Sequence, residues 1–533
     1  MRDKKIHLLT IVHFLLFAFS ATPSEHAGKS NLAAARAAVL SITSRESSSH
    51  VHRLSSVEFK GRETGTLGEW RAAKYIAQEF SEYGLLPGGD DGAFFQNFQL
   101  TRNDLKKATL RMKSEIDGEK NSTVFSVKRD FVPFNFTGED SVSAPVAFAG
   151  YGITAPEYQY DDYQRIDAIG KIVLVLRHEP RENDPESLFA GKQLTKHALF
   201  EEKARNAQAH GAAGMLLVSD PASGHVNLEP QGYWPSLYRE RWQPKPWELL
   251  QNPELRTFPS LWIELDVAEK VLQSTGRNLN ELQKEIDTNG KPQSFNIVGQ
   301  TIEIEIDLDQ EIRRTQNVIG FIRGSDPELN EEVVVVGAHF DHIGIINDRI
   351  YRGADDNASG TAGLLEIAET FREIAEPPRR CLIFIAFSAE ELGLLGSEFY
   401  VKHPIFPIKK TVAMINLDMI GRNAENEVTV IGGSRSPDLR EINIAANRET
   451  GLTLKYDGEH FFNRSDQANF AKHNIPVLFY NTDDHEDYHR PSDTPDKVNP
   501  EKVARIARLA FLVAWEVANS DVSPSSIHFK LGQ

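Results

Sequence analysis

From about residue 315 onward, short unbroken apolar runs alternate with longer stretches whose apolar residues recur at helical spacing. The runs are Val333–Val336, Leu382–Ala386, Val412–Ile415 and Pro476–Tyr480. A run that does not alternate with polar residues predicts a strand covered on both faces, as in a mainly parallel sheet layered with helices. After Asp355–Gly360, the chain carries Leu364, Leu365, Ala368 and Phe371 toward one side, which predicts a helix. Glu366, Glu369 and Glu373 are expected to form its solvated face. A closing helix is predicted from Asn499, an N-cap followed by Pro500 at the first helical position. Its apolar stripe runs through Val503, Ile506, Ala507, Ala510, Ala514 and Val517. The expected fold class is α/β, a mainly parallel sheet covered by helices.

Upstream the texture differs. Trp70–Phe80 has helical spacing and stops at Gly84. Pro145–Ala149, Lys171–Leu176 and Gly214–Val218 predict short strands, and Glu201–Ala209 predicts a helix ending at His210 and Gly211. With no cluster of acids and histidines expected in it, this block reads as a separate, smaller module over residues 141–290. It would interrupt a larger domain made of residues 40–140 and 291–520. Residues 220–256, rich in Trp, Pro and Tyr, predict an irregular loop, and no repeat of fixed period is found.

Composition narrows the chemistry. The chain has 533 residues, 40% hydrophobic and 25% charged, enough for a sizeable core. A net charge of −17 argues against a protein that tracks nucleic-acid phosphates. The single cysteine, Cys381, excludes an intramolecular disulfide and any metal site built from several thiolates. Its place in an apolar strand predicts a buried structural thiol. Any metal must therefore be held mainly by His, Asp and Glu.

The first residues bear on compartment. Met1–Lys5 is basic, Ile6–Phe19 is mostly apolar, and Ala18–Ser20 offers small residues for cleavage before Ala21. This is the pattern of an export signal over residues 1–20, and its apolar run is short of the ~20 residues a membrane span needs. The mature chain is expected to be exported (periplasmic or secreted), without stable membrane insertion.

In open α/β sheets, ligands bind beyond the carboxyl ends of the strands. Here the first run leads into Gly337-Ala-His339-Phe-Asp341 and the second into Ser388-Ala-Glu390-Glu391. The third leads into Asn416-Leu-Asp418 and the fourth into a loop ending at Tyr488-His489. The turn between the first two runs holds Asp355 and Asp356. Acids and histidines thus gather on one sheet edge. Their types suit a two-metal hydrolase, in which two zinc ions about 3.5–4 Å apart share one carboxylate and take further N or O ligands. His339-x-Asp341 fits a carboxylate that orients a ligating imidazole. Glu390 and Glu391, pointing in different directions at a strand end, can divide metal binding from proton transfer.

These segments, extended over Gly353–Gly360, Ser388–Ser397, Asn416–Gly421 and Tyr488–Asp493, resemble the M28 family of dizinc peptidases. Gly170–Val175 and His210–Gly214 resemble the protease-associated (PA) domain often inserted into such enzymes. The resemblance implies a zinc-exopeptidase-like fold with a smaller, β-rich insert. It also implies that His339 and Asp418 hold one zinc ion, that Glu391 and His489 hold the other, and that Asp355 bridges them. Glu390 would be the general base, Asp341 the support of His339, and Tyr488 the stabiliser of the tetrahedral oxyanion. Gln467 stands where many relatives have His and is expected to stay away from the metals. The implied activity is release of N-terminal residues from peptides, with a carboxypeptidase or dipeptidase of the same dizinc type as alternatives.

Other readings of single residues stand beside these. Asp356 is expected to serve the helix dipole and the turn rather than a metal, and His342 to be a loop histidine. His485-Glu486-x-x-His489 satisfies the letter of the single-zinc HExxH signature, with Glu486 as base. That chemistry needs a helix, and no apolar period runs through the stretch. A reading from another class is a binding ectodomain that has lost its metals, which would lack ligands that this chain keeps. Asn121, Asn135, Asn357 and Asn463 each open a glycosylation triplet.

Overall fold

The computed structural model describes residues 33–525 except 117, 183, 190–193, 222–246, 251–254 and 256. The expected export signal, residues 1–20, and most of the loop expected at 220–256 lie outside the described residues. Two compact units are present. The first comprises Met1–Gln96, Asn317–Glu390 and Gly396–Gln533, and the second comprises Asn97–Gln316 with Glu391–Leu395.

In the first unit, four parallel strands stand in the order Val477–Asn481, Thr411–Leu417, Val333–His339 and Cys381–Phe387. Antiparallel partners flank them. Val318–Ile322 pairs with the last of the four, and Glu427–Ile431 pairs with the first. The sheet is mixed but mainly parallel at its centre. Along Val333–His339, Val334, Val336 and Ala338 enter one core, whereas Val333 and Val335 enter another on the opposite face. Successive residues alternate between two buried faces, so the sequence shows an unbroken run.

Helices Ser44–Leu54, Leu67–Glu82, Gly360–Arg372 and Pro500–Asn519 supply the first core, through Leu54, Phe80, Leu365 and Trp515 among others. Burying each such side chain is worth about 1.5–3 kcal/mol. The last helix begins where the sequence predicts, with the Asn499 side chain accepting the backbone N–H groups of Glu501 and Lys502. Cys381 is buried, its thiol donating to Asn330 O at 3.0 Å.

Glu366 departs from expectation. It is 2% exposed, accepts the Thr43 N–H at 3.0 Å, and lies 3.8 Å from His50 Nε2. Helix Ser44–Leu54 covers this side of helix Gly360–Arg372. Burial pushes the Glu366 carboxyl up to about 8 and the His50 imidazole down to about 4. Of the three glutamates, Glu373 is exposed and Glu369 half-buried.

The second unit holds the strand order Phe131–Pro133, Ser260–Ile263, Gly214–Val218, Ile172–Leu176, Asp140–Phe148, and then Phe295–Ile306. The inner three pairings are parallel and the outer two antiparallel. This unit is wider than the 141–290 block read from the sequence. Leu105, Leu110, Phe125 and Phe131 enter its core from before that block, and Ile302, Ile304 and Ile306 from after it. Among the described residues, no helix is long and apolar enough to cross a membrane.

Candidate metal centre

The four parallel strands of the first unit end on one edge, and each end leads directly into chemistry. His339 is the last residue of its strand, Asp418 follows Leu417, and Glu390 lies three residues past Phe387. His489 closes the loop after Asn481. His339 Nε2 lies 3.2 Å from Asp418 Oδ1, 3.4 Å from Asp356 Oδ1 and 4.0 Å from Glu390 Oε2. On the other side of the ring, Nδ1 is 3.3 Å from Asp341 O and 3.7 Å from Asp341 Oδ1. Asp341 also accepts the Glu390 N–H at 3.1 Å, so one carboxylate touches both the histidine and the turn that presents Glu390.

Asp356 occupies the middle. Its Oδ1 faces His339, and its Oδ2 stands 3.2 Å from His489 Nε2 and 3.8 Å from His342 Nδ1. Asp355, expected to bridge two metals, turns away. Its Oδ1 accepts the Gly421 N–H at 2.7 Å, and its Oδ2 lies 3.3 Å from His485 Nε2. The reason lies in the turn. Gly353 holds a left-handed conformation (φ 54°), where a Cβ would meet Asp356 O at 2.1 Å, and the following residues Ala354–Ser359 wind irregularly. That winding sends consecutive carboxylates to opposite sides. Asp356 is therefore not the simple helix-start acid that the sequence suggests.

Ala389 (φ 57°), Met419 (φ 56°) and His489 (φ 55°) are among the non-glycine residues in these loops that hold left-handed backbone. Each is next to, or is, a residue of the cluster. Such conformations cost about 1–3 kcal/mol each and persist where surrounding contacts over-determine them. Asn357, which the sequence offers only as a glycosylation triplet, supplies several of those contacts. Fully buried, it donates to His339 O at 3.2 Å and Leu417 O at 3.0 Å, and accepts the Met419 N–H at 3.1 Å. Its burial excludes a glycan there.

Electrostatics follow from the crowding. Burial opposes a charge on His339, yet Asp418, Glu390, Asp341 and Asp356 together hold its pKa well above the ordinary value. Burial likewise opposes ionisation of Asp356, but contacts with His339 and His489 carry its pKa well below the usual carboxylate range. Asp418 is raised by burial. Asp466, fully buried nearby, is pushed up to about 7 by desolvation.

The remaining expected residues fall as follows. Tyr488 stacks on the His489 ring at 3.9 Å, and its hydroxyl accepts from Arg464 at 3.3 Å. Gln467 is buried in hydrogen bonds with Asn416 and Phe462 O, each at 2.8 Å. Glu391 is half-buried and groups with the second unit. The stretch His485–His489 is a turn, not a helix, and its two imidazoles address different acids. The HExxH reading therefore fails on geometry.

The donor set fits divalent metal. Among the described residues, His339, Asp356 and Asp418 are all buried and offer ligand atoms within 4.8 Å of one another. Imidazole nitrogens with carboxylate oxygens suit zinc. The second unit also holds a cluster that the sequence reading did not expect, His178 with Glu182 and Asp220. There His178 Nδ1 sits at hydrogen-bond distance from both acids, 3.0 Å and 2.6 Å.

Residues 317–514 match the model of peptidase family M28, and residues 142–239 match that of the PA domain. Over residues 317–514 the chain is similar to the peptidases of family M28. The M28 region contains every residue of the cluster just described, from His339 to His489. Aminopeptidase YwaD of Bacillus subtilis is 25% identical over 538 residues, 98% of this chain and 94% of that protein. A glutamate carboxypeptidase 2 homolog of Caenorhabditis briggsae is 35% identical over 153 residues, 28% of this chain and 18% of that protein. Among solved structures, BSAP, a zinc aminopeptidase from Bacillus subtilis, aligns with TM-score 0.43 at 21% identity, over 92% of this chain and 99% of that one. With this region and these relatives, the chain is a metallopeptidase.

Proposed function

We propose that this chain is an exported aminopeptidase of the M28 type, which uses two zinc ions and takes N-terminal residues from peptides. The observation that carries the reading is the Asp356 carboxylate, with one oxygen toward His339 and the other toward His489. A carboxylate between two imidazoles is what a shared ligand of two metal ions requires. His339 and Asp418 would hold one zinc ion, Glu391 and His489 the other, with Asp356 between them. Zinc bound there supplies Lewis acidity, which polarises a carbonyl and makes water acidic enough to attack near neutral pH.

The chain's own groups do the rest. Glu390 is the general base: it takes the proton of the attacking water and later delivers it to the leaving amine. Asp341 steadies it through the Glu390 N–H and holds the far side of the His339 ring. Tyr488, which accepts from Arg464 and stacks on His489, would stabilise a developing oxyanion by a hydrogen bond from its hydroxyl. Removal of amino-terminal residues is supported by the likeness to aminopeptidase YwaD along nearly the whole chain. Export is supported by the basic, apolar and small-residue order of Met1–Ser20.

A panel of free-amine, amino-blocked and carboxyl-blocked peptides, assayed beside elemental analysis, tests the proposal. The expected result is two zinc ions per chain and cleavage that requires a free amino terminus. Cleavage that requires a free carboxyl terminus instead would overturn the aminopeptidase assignment in favour of a carboxypeptidase. Cleavage confined to peptides of two residues would identify a dipeptidase.

A further inference from the structure

The loops of the centre rest on a segment far upstream of the M28 region. Arg62 is fully buried, and its guanidinium donates to four backbone carbonyls: Phe340 at 2.6 Å, Leu54 at 2.7 Å, and Arg352 and Gly353 at 2.8 Å. Phe340 separates His339 from Asp341, and Gly353 opens the turn that presents Asp356. Two residues on, the buried Thr64 hydroxyl donates to Asp341 Oδ2 at 2.9 Å, while the other oxygen of that carboxylate accepts from Glu390. Further on, the buried Glu69 accepts the Ser388 hydroxyl at the base of the Glu390 turn and the Gly65 N–H at 2.8 Å. Gly61 lets this segment come close, since a Cβ there would lie 2.3 Å from Tyr351 O.

We propose that Arg62, Thr64 and Glu69 are positioning residues of the peptidase centre. They hold in register the three loops that carry His339 with Asp341, Asp356, and Glu390. The inference rests on the peptidase reading above and extends it to residues that touch neither metal nor substrate. Each anchor has its own hydrogen-bond chemistry. Arg62 offers five donors in a planar fork and so meets four carbonyls at once, one more than the three N–H groups of a lysine could. Thr64 fixes the rotation of Asp341, so that its free oxygen meets the Glu390 N–H. Glu69 fixes the start of the turn that aims Glu390. Partners that orient ligands in this way typically change metal affinity or activity by about 10–100-fold when removed.

Thr64 gives the cleanest test, because valine keeps its shape and deletes only the hydroxyl. The full chain carrying Thr64→Val, Thr64→Ser or Glu69→Gln is compared with wild type in three measurements. These are thermal unfolding, zinc affinity by competition with a chromophoric chelator, and kcat and KM on an aminoacyl anilide. The proposal expects Thr64→Val to lower kcat about 10–100-fold, with KM within about twofold, and to weaken zinc binding. Thr64→Ser, which restores the hydroxyl, recovers both. The proposal is overturned if Thr64→Val matches wild type in kcat and zinc affinity, or if Thr64→Ser is as impaired as Thr64→Val. Should Thr64→Val not fold, Glu69→Gln carries the same test through Ser388, with unchanged kcat and zinc affinity as the overturning result. If the wild type cleaves no peptide derivative, the proposed function fails, and zinc competition alone decides the positioning role.

Discussion

His485 Nε2 stands 3.3 Å from Asp355 Oδ2, both side chains buried, while the next acid along the chain faces His489 at 3.2 Å. Two neighbouring carboxylates thus take two different imidazoles, and only one pair belongs to the donor cluster. Asp356→Asn is expected to remove zinc and to abolish peptidase activity. Asp355→Asn is expected to keep zinc and to lower stability by about 1–3 kcal/mol, through the weakened contact with Gly421. Elemental analysis and thermal unfolding on both variants check this. Loss of zinc from Asp355→Asn alone would reverse the assignment.

Glu390 and Glu391 are expected to fail in different ways. Glu390→Gln cannot accept a proton, so kcat should fall about 10²–10⁴-fold with zinc content unchanged and KM little altered. Glu391→Gln removes a proposed ligand, so zinc should bind more weakly and added zinc should restore part of the rate. Zinc content with steady-state kinetics distinguishes the two, and metal loss in the first variant alone would exchange their roles.

Glu366 predicts a pH dependence of stability. Burial raises its folded pKa from 4.5 to about 8, so the folded chain holds this proton more tightly than the unfolded one. The stability it contributes is complete below the unfolded value and is lost as pH rises through about 8. Glu366→Gln cannot ionise. Relative to wild type, the variant should therefore gain about 1–4 kcal/mol between about pH 5 and pH 9. Chemical denaturation at both pH values measures the difference, and parallel curves for the two proteins would contradict the burial argument.

Asn499 caps the helix Pro500–Asn519 by accepting from Glu501 and Lys502 at 3.0 Å and 3.2 Å. Asn499→Ala should cost about 1 kcal/mol of stability, read by denaturant unfolding, and leave zinc content unchanged. A neutral substitution would mean that the packed stripe of this helix fixes its start without the cap.

The central sheet was legible because both of its faces are buried, so the strands wrote themselves as unbroken apolar runs. The edge where the chemistry gathers followed from what comes after each run. The choice between Asp355 and Asp356 was not legible. It depends on the left-handed Gly353 and an irregular turn, and sequence spacing treats two adjacent acids alike. Glu366 misled for another reason: its spacing with Glu369 and Glu373 marks a polar face, but not which part of that face another helix covers. Arg62 gave no signal, because its acceptors are backbone carbonyls and Phe340 lies 278 residues away in the chain. The second unit begins earlier than its strand-rich block suggests, since Leu105 and Leu110 sit in alternating rather than continuous strands.

The distance between Arg62 and its acceptors has a consequence for biosynthesis. Contacts that span so much chain close late in folding, after local helices and hairpins have formed. The partner of Ile42 O lies farther still, at Arg508, 466 residues on. A nascent chain that has released its first four hundred residues holds His339, Asp356 and Glu390 but lacks Asp418, His489 and the last helix. Hydrolytic power therefore arrives only with the final stretch of polypeptide, when Asp418 and His489 join the residues already made.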